Sequence, residues 1–261
     1  MVKLITGLLM LLLPVFLVAA IPPGVNSAAK FNERGKVWVL ENGGTQTVWY
    51  ATGAKKSEGG FRSGHRTGSW KYYYETGAIK GEGEYSGNLK QGIWKLYHKN
   101  GKVESTGAFR NDARTGTWVF FDTDGKKSGE GEYRAGMKEG PWVFYYGSGQ
   151  VSSKGSYRAG EANGFWEYFF QRGQPFQSGN FQSDVRIGTW NVCVGPAGPC
   201  GKEVYNSGLT SGAPRVSGLN PAQLPSQDIK AGRNNPGAFL DSMEGEVPDK
   251  VPSSLKGSWN D

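Results

Sequence analysis

Histidine and cysteine are scarce in this chain of 261 residues, which has only two of each. These residue types supply most zinc ligands and many catalytic nucleophiles and bases. The two histidines, His65 and His98, have no cysteine or carboxylate spacing around them that is typical of a zinc site. The sequence also lacks a G-x-S-x-G nucleophile elbow and a phosphate-binding loop with its lysine. We therefore expect a protein that is not an enzyme and that holds neither a metal nor a cofactor.

Glycine and aromatic residues are abundant by contrast. The chain has 41 glycines, and Phe, Trp and Tyr together make up 13% of it. Helical bundles do not tolerate so much glycine, and disordered polar chains lack aromatic residues. The combination favours many short strands joined by tight turns, with aromatic side chains supplying the burial.

The charge excess is spread along the chain. Thirty Lys and Arg residues against 23 Asp and Glu residues give a net charge of +7. From Lys202 to the end, six basic and seven acidic residues nearly cancel, so the excess lies upstream. A nucleic-acid-binding protein usually concentrates its positive charge in one patch. We therefore expect no nucleic-acid partner.

The N-terminal segment is typical of a secretory signal. Lys3 precedes an apolar run from Leu4 to Ala20, and small residues follow. We predict a signal peptide over residues 1–20, with cleavage as late as residue 29 as the alternative. An uncleaved segment that anchors the chain in a membrane is the competing interpretation. Either way, the protein is expected in the periplasm or outside the cell.

A repeat of 24 residues dominates the sequence. Six tryptophans share one register, and a glycine stands two positions before each of them. A second series of glycines follows, and an aromatic residue stands two positions after each of these. Such self-similarity is typical of a stack of equivalent structural units. The six tryptophans, which we predict to form the core of the repeats, are Trp70, Trp94, Trp118, Trp142, Trp166 and Trp190.

Each unit is predicted to be a β-hairpin. Trp70 begins an aromatic run typical of a strand, and Asn100-Gly101 stands where a two-residue type I′ turn is expected. Because a single hairpin is unstable in water, the units must stack. The sequence predicts an all-β, elongated solenoid of stacked 24-residue hairpins over residues 35–212. A disordered tail rich in Pro, Gly and Ser is predicted over residues 213–261.

The pattern G-x-W-x-x-Y/F-Y/F-x-x-G-x-x-x-x-x-G-x-Y/F resembles the MORN repeat, and more closely the variant found in many bacterial MORN-type proteins. The resemblance covers about residues 35–212, with degenerate end units in which Gln46 stands in place of the first tryptophan. It implies a non-catalytic module that scaffolds or binds partners. Some MORN proteins are associated with membranes or phosphoinositides, and some bacterial members are called antitoxins.

Alternation along the strands separates two faces. Trp70 and Tyr72 share the predicted core face, while Tyr73 lies on the other. That second face has two interpretations: another buried layer in a flattened barrel, or a partly exposed row suited to stacking on sugars or docking a peptide. Carboxylates such as Glu82 and Glu130 are expected to be solvated. The candidate ligand or partner ladder consists of Tyr73, Tyr97, Phe121, Tyr145 and Phe169.

Both cysteines, Cys193 and Cys200, fall in the last complete unit. In an oxidising compartment an even number of cysteines favours a disulfide over a metal site or a catalytic thiol. The repeat register puts the turn centre between Pro196 and Ala197, equidistant from the two cysteines. We predict a disulfide across this hairpin that keeps the end of the stack from fraying.

The sequence indicates function only as a class. We expect an exported repeat protein that acts as a protein-interaction or scaffold module of the bacterial cell envelope, with an envelope protein as its partner. Two alternatives stay open. The first is direct binding of a cell-wall glycan, such as peptidoglycan, through the aromatic ladder. The second is an antitoxin-like or immunity role, which the family resemblance implies.

Overall fold

A computed structural model describes residues 20–205 and 215–217 of the chain; most of the predicted signal peptide and tail lies outside them. Every regular element in this part of the chain is a β-strand, which confirms the predicted all-β fold of stacked hairpins. The strands are β1 (Lys30–Asn32), β2 (Val37–Asn42), β3 (Thr45–Tyr50), β4 (Lys55–Arg62), β5 (His65–Tyr73), β6 (Ile79–Ser86), β7 (Leu89–Tyr97), β8 (Val103–Arg110), β9 (Ala113–Phe121), β10 (Lys127–Arg134), β11 (Met137–Tyr145), β12 (Val151–Arg158), β13 (Glu161–Ala162), β14 (Gly164–Phe169), β15 (Pro175–Gln182), β16 (Val185–Cys193), β17 (Cys200–Tyr205) and β18 (Arg215–Ser217).

The strands form one open antiparallel sheet in chain order. Successive strands pair with each other along the array, as β5 does with β6 and β6 with β7. The short β13 and the following β14 are two pieces of one strand interrupted at Asn163, and both pair with β12. Pairing begins at Lys30, upstream of the predicted start at residue 35, and it reaches Ser217, downstream of the predicted end at residue 212.

Each core tryptophan packs flat against a glycine of the preceding strand. A Cβ atom built on Gly107 would lie 2.3 Å from Cδ2 of Trp118, so only glycine leaves room for the indole. The indole N–H of Trp118 donates to the carbonyl of Ala108 at 3.1 Å. The contact recurs in all six units, whose tryptophans are 0–2% exposed. The pairs are Gly59 with Trp70, Gly83 with Trp94, Gly107 with Trp118, Gly131 with Trp142, Gly155 with Trp166 and Gly179 with Trp190.

Strand β5 bends just before its tryptophan. Gly68 has a φ of +62° and lies with Ser69 in a bulge opposite β4. The Arg66 guanidinium reaches the Tyr72 hydroxyl at 2.9 Å. In a straight strand the Cα atoms of these two residues would lie about 20 Å apart. The bend therefore folds both arms of the strand around the indole. This geometry explains how one face of a single sheet becomes a closed core.

The two long edges of the sheet carry different turns. The prediction of type I′ turns at positions such as Asn100-Gly101 is wrong, because only Gly101 has a positive φ (+83°) and the loop there has three residues. The type I′ turns lie at the other edge, as at Gly87 (φ +59°) and Asn88 (φ +72°). We call these two sides the loop edge and the type I′ edge.

Candidate functional site

An aromatic row runs along the outer face of the sheet, opposite the tryptophans. Its members are half-buried, and no second sheet covers them within the part of the chain that the structure describes. Equivalent residues lie two strands apart, so successive rings follow one another at about 9.6 Å. We call this row the outer ladder; it consists of Tyr73, Tyr97, Phe121, Tyr145 and Phe169.

Glutamates of the preceding strand hold three rings of the outer ladder. Burial, together with the hydrogen bond to its glutamate, raises the pKa of Tyr97 and of Tyr145 to about 12. The phenols therefore stay protonated at neutral pH and keep donating. Glu82 and Glu130, which were expected to be solvated, are partly exposed and in addition accept these hydrogen bonds. The O···O distances are 2.5 Å for Tyr73 to Glu58, 2.6 Å for Tyr97 to Glu82 and 2.6 Å for Tyr145 to Glu130.

The glutamate is replaced where the ladder residue is phenylalanine. Thr106 takes its position in the unit of Phe121, and Lys154 takes it in the unit of Phe169. The Lys154 ammonium lies 5.4 Å from the centre of the Phe169 ring and 2.9 Å from Oε2 of Glu167. A glutamate thus occurs at this position only in the units whose ladder residue is a tyrosine, which can donate a hydrogen bond to it. The outer ladder presents rings bordered by charges of both signs.

A second row, at the loop edge, ties four pairs of successive units together. The Tyr74 hydroxyl donates to the carbonyl of Tyr97 at 2.7 Å. His98 occupies the same register, and its Nε2 lies 2.9 Å from the carbonyl oxygen of Phe121. Because the acceptors are backbone atoms of the outer ladder, these bonds fix the position of one rung relative to the next. Further links of this kind join Tyr50 to Tyr73 and Tyr146 to Phe169.

A column of cations on the inner face was not predicted from the sequence. An Arg or Lys stands four positions before five of the six core tryptophans, with its charged group over the indole. Distances from the charged group to the ring centroid run from 4.3 to 5.9 Å. The 24-residue spacing is the signal that could have revealed them. These inner cations are Arg66 with Trp70, Lys90 with Trp94, Arg114 with Trp118, Lys138 with Trp142 and Arg186 with Trp190.

The cysteines lie opposite each other on β16 and β17 and are bonded. In the earlier units the loop has three residues, and Tyr97 pairs with Val103. The same register in the last unit would pair Cys193 with Pro199. The last turn has four, from Gly195 to Gly198, and this additional residue brings Cys200 into place. The disulfide closes the hairpin at the C-terminal end of the array.

The described residues contain neither a cluster arranged to bind a metal nor a membrane-spanning helix. No group of His, Cys, Asp and Glu side chains within residues 20–205 and 215–217 is arranged to hold a metal ion. The same part of the chain has no helix of the length and apolarity that a membrane span requires. The predicted signal peptide over residues 1–20, which would carry the export function, falls almost wholly outside the described residues.

Comparison with known proteins identifies the repeat. The family model of the MORN repeat variant matches four consecutive segments, at residues 66–86, 90–111, 114–135 and 138–159. No curated protein matches the chain in sequence. Among solved structures, the crystal structure of the GtfA/B complex bound to UDP and GlcNAc is similar over 51% of this chain and 24% of that one, at 10% identity and a TM-score of 0.22. This last likeness carries no information about function.

Proposed function

We propose, from the premise that residues 66–159 are MORN-variant repeats, that this chain is a non-catalytic interaction module of the bacterial cell envelope. MORN-variant repeats are consistent with a non-catalytic repeat protein. A stack of such units offers an extended surface, which repeat proteins commonly use to bind partners. We assign the binding role to the outer ladder, and an envelope protein is the partner we favour.

Two features support a location outside the cytoplasm. The segment from Lys3 to Ala20 has the charge and apolar run of a secretory signal. The disulfide between Cys193 and Cys200 fits an oxidising compartment. We therefore propose that the module acts in the periplasm or outside the cell.

The observation that carries the proposal is the periodic row of half-exposed rings on the uncovered face of the sheet. Rigid aromatic side chains provide contact area at little cost in conformational entropy. Tyr97 and Tyr145 are further held by Glu82 and Glu130, so they have little freedom left to lose on binding. Because the rungs repeat at about 9.6 Å, a partner that uses several of them must itself be extended.

A cell-wall glycan is the second candidate, and one feature of the outer ladder favours it. A ring face beside a carboxylate suits a sugar, which presents C–H groups to the ring and hydroxyl donors to the oxygen atoms. Glu82 and Glu130 provide such oxygens beside Tyr97 and Tyr145. A linear glycan also has the length that a periodic surface requires.

The test uses three forms of the mature protein. The ladder variant carries Tyr97→Ser, Phe121→Ser and Tyr145→Ser. The matched control carries Leu89→Ser, Met137→Ser and Val185→Ser, which remove exposed apolar side chains (40–56% exposed) at the type I′ edge. Wild type and both variants are used for affinity capture from envelope extract and for sedimentation with purified cell wall, after their melting temperatures have been compared.

We expect the ladder variant to lose partner capture while the control retains it. Capture without sedimentation supports the protein partner, and sedimentation with purified wall supports the glycan. A ladder variant that remains folded and binds as wild type does would refute the assignment of the outer ladder. If the triple variant does not fold, the single change Phe121→Ser decides, because this ring has no hydroxyl to anchor it.

A further inference from the structure

Counted from Trp70, the fifth of the six tryptophan-containing units, that of Trp166, is the one without a cation beside the core. Ala162 occupies the register of Arg66, Lys90, Arg114, Lys138 and Arg186. Among the described residues, Trp166 is accordingly the one core tryptophan with no Arg or Lys group over its ring. The aromatic surroundings are nevertheless intact, since Trp166 still packs against the rings of Tyr157 and Phe181.

A hydroxyl group is left without a partner at the same place. The Tyr168 hydroxyl is buried and has no hydrogen-bond partner. Its counterpart in the first unit, Tyr72, receives a hydrogen bond from Arg66 at 2.9 Å and donates one to Tyr85 at 2.9 Å. In the fifth unit these two partners are replaced by Ala162 and Phe181. A buried hydroxyl that makes no hydrogen bond costs free energy and calls for an explanation.

The neighbouring inner cations make no hydrogen bond to the Tyr168 hydroxyl, although the charge of Arg186 lies near enough to oppose part of the rise in its pKa that burial causes. Arg186 binds the side chains of Gln177 and Tyr205, each at 3.0 Å. Lys138 lies over Trp142 and Tyr157 of its own unit, at 5.4 and 5.3 Å. The strand is also interrupted at this place, because β13 ends at Ala162 and β14 begins at Gly164. The fifth unit therefore departs from the others in its side chains and in its backbone.

We infer that the fifth unit is a binding site for a cationic group, and that an arginine or lysine side chain of a partner protein occupies it. The ligand class follows from the other units, in which the same aromatic surroundings hold a guanidinium or an ammonium group. The ring of Trp166 supplies the cation–π contact, and the Tyr168 hydroxyl accepts the hydrogen bond. Tyr168 is more exposed than its buried counterparts Tyr72 and Phe144. The partner's side chain must displace the Tyr168 ring to reach the buried hydroxyl and the Trp166 indole, which is 0% exposed. Ala162, at the position that a cation occupies in the other units, is 1% exposed.

This inference rests on the proposed interaction function, because it names a chemical feature of the partner. It also places a second contact on the molecule, at the inner face, away from the outer ladder. A partner that uses both would need an extended segment and a basic side chain.

The test uses the small probes methylguanidinium and methylammonium with the mature protein. Indole N–H signals are followed by ¹H–¹⁵N NMR, and the signal of Trp166 is identified by its loss in Trp166→Phe. We expect a saturable shift of the Trp166 signal and little change at the other core indoles. Unsaturable shifts of equal size at all indoles, or no shift at Trp166, would overturn the inference.

Two matched variants sharpen this test. Ala162→Arg fills the position with the chain's own cation, so the saturable shift should disappear; Ala162→Lys serves if the arginine variant does not fold. Arg66→Ala gives the first unit the pattern of the fifth, so the Trp70 signal should begin to shift as well. A shift that survives in a folded Ala162→Arg or Ala162→Lys variant would refute the site. Because the probes need no partner protein, a failure here is separate from a failure of the outer ladder to bind.

Discussion

Replacement of Gly107 by alanine tests the packing that defines each repeat. The new Cβ atom would lie 2.3 Å from the Trp118 ring, so the indole must move by more than 1 Å to reach ordinary contact distance. Overpacking of this kind costs about 1–3 kcal/mol, and loss of the indole hydrogen bond to Ala108 costs about 1 kcal/mol. Lower entropy of the unfolded chain returns about 0.5–1 kcal/mol. We expect a net loss of about 2 kcal/mol, seen as a fall of about 4–8 °C in the melting temperature.

Gly147 provides the matched control for this experiment. It is exposed, its φ is not positive, and the nearest atom to an added Cβ would be Oδ2 of Asp122 at 3.8 Å. The free energy of unfolding of Gly147→Ala should therefore lie within about 0.5 kcal/mol of that of wild type. Melting is followed by tryptophan fluorescence and far-UV circular dichroism. Equal melting temperatures for Gly107→Ala and Gly147→Ala would refute the argument that the glycine exists to admit the indole.

Three further predictions concern the end of the array, the outer ladder and the boundaries. Reduction of the Cys193–Cys200 disulfide should lower stability by about 2 kcal/mol, read from urea unfolding with and without reductant; an unchanged midpoint would contradict it. The hydrogen bond from Tyr145 and the ion pair with Lys127 lower the pKa of Glu130. The contribution of Glu130 to folding stability is therefore full above about pH 4.5 and is lost as the pH falls through the lowered pKa. The difference in melting temperature between wild type and Tyr145→Phe should therefore narrow below pH 4.5, and a constant difference would count against the hydrogen bond. Brief proteolysis should remove the predicted tail and leave the array, so a resistant fragment that extends past about residue 240 would contradict the predicted boundaries.

The repeat fold was predictable because its determinants recur. One tryptophan could belong to any core, but the 24-residue spacing from Trp70 to Trp190 requires equivalent units. The turns were less predictable. Asn-Gly fits a two-residue type I′ turn and also a three-residue loop that ends in glycine, and only the register of Tyr97 with Val103 distinguishes them. The actual type I′ turns include residues such as Ala135, which give little sequence signal.

The candidate site was predictable in its rings and not in their partners. Alternation along β5 is enough to separate Tyr73 from Trp70. The hydrogen bond from Tyr97 to Glu82 depends on the register between two strands, which periodicity alone does not give. The inner cations could not be predicted for a further reason. A straight strand would keep Arg66 far from Tyr72, and only the bend at the bulge brings the two together.

Footprinting of the outer ladder shows directly whether the partner binds there. Hydroxyl radicals modify exposed aromatic and sulfur-containing side chains, so mass spectrometry can report the modification of Tyr97, Tyr145 and Met137 in the mature protein with and without envelope extract. We expect bound envelope material to protect Tyr97 and Tyr145, while Met137 at the type I′ edge stays as reactive as before and the buried Trp118 stays unreactive. Protection of Met137 with Tyr97 and Tyr145 unchanged would contradict this expectation, because the partner would then bind at the edge of the sheet and not on the outer ladder.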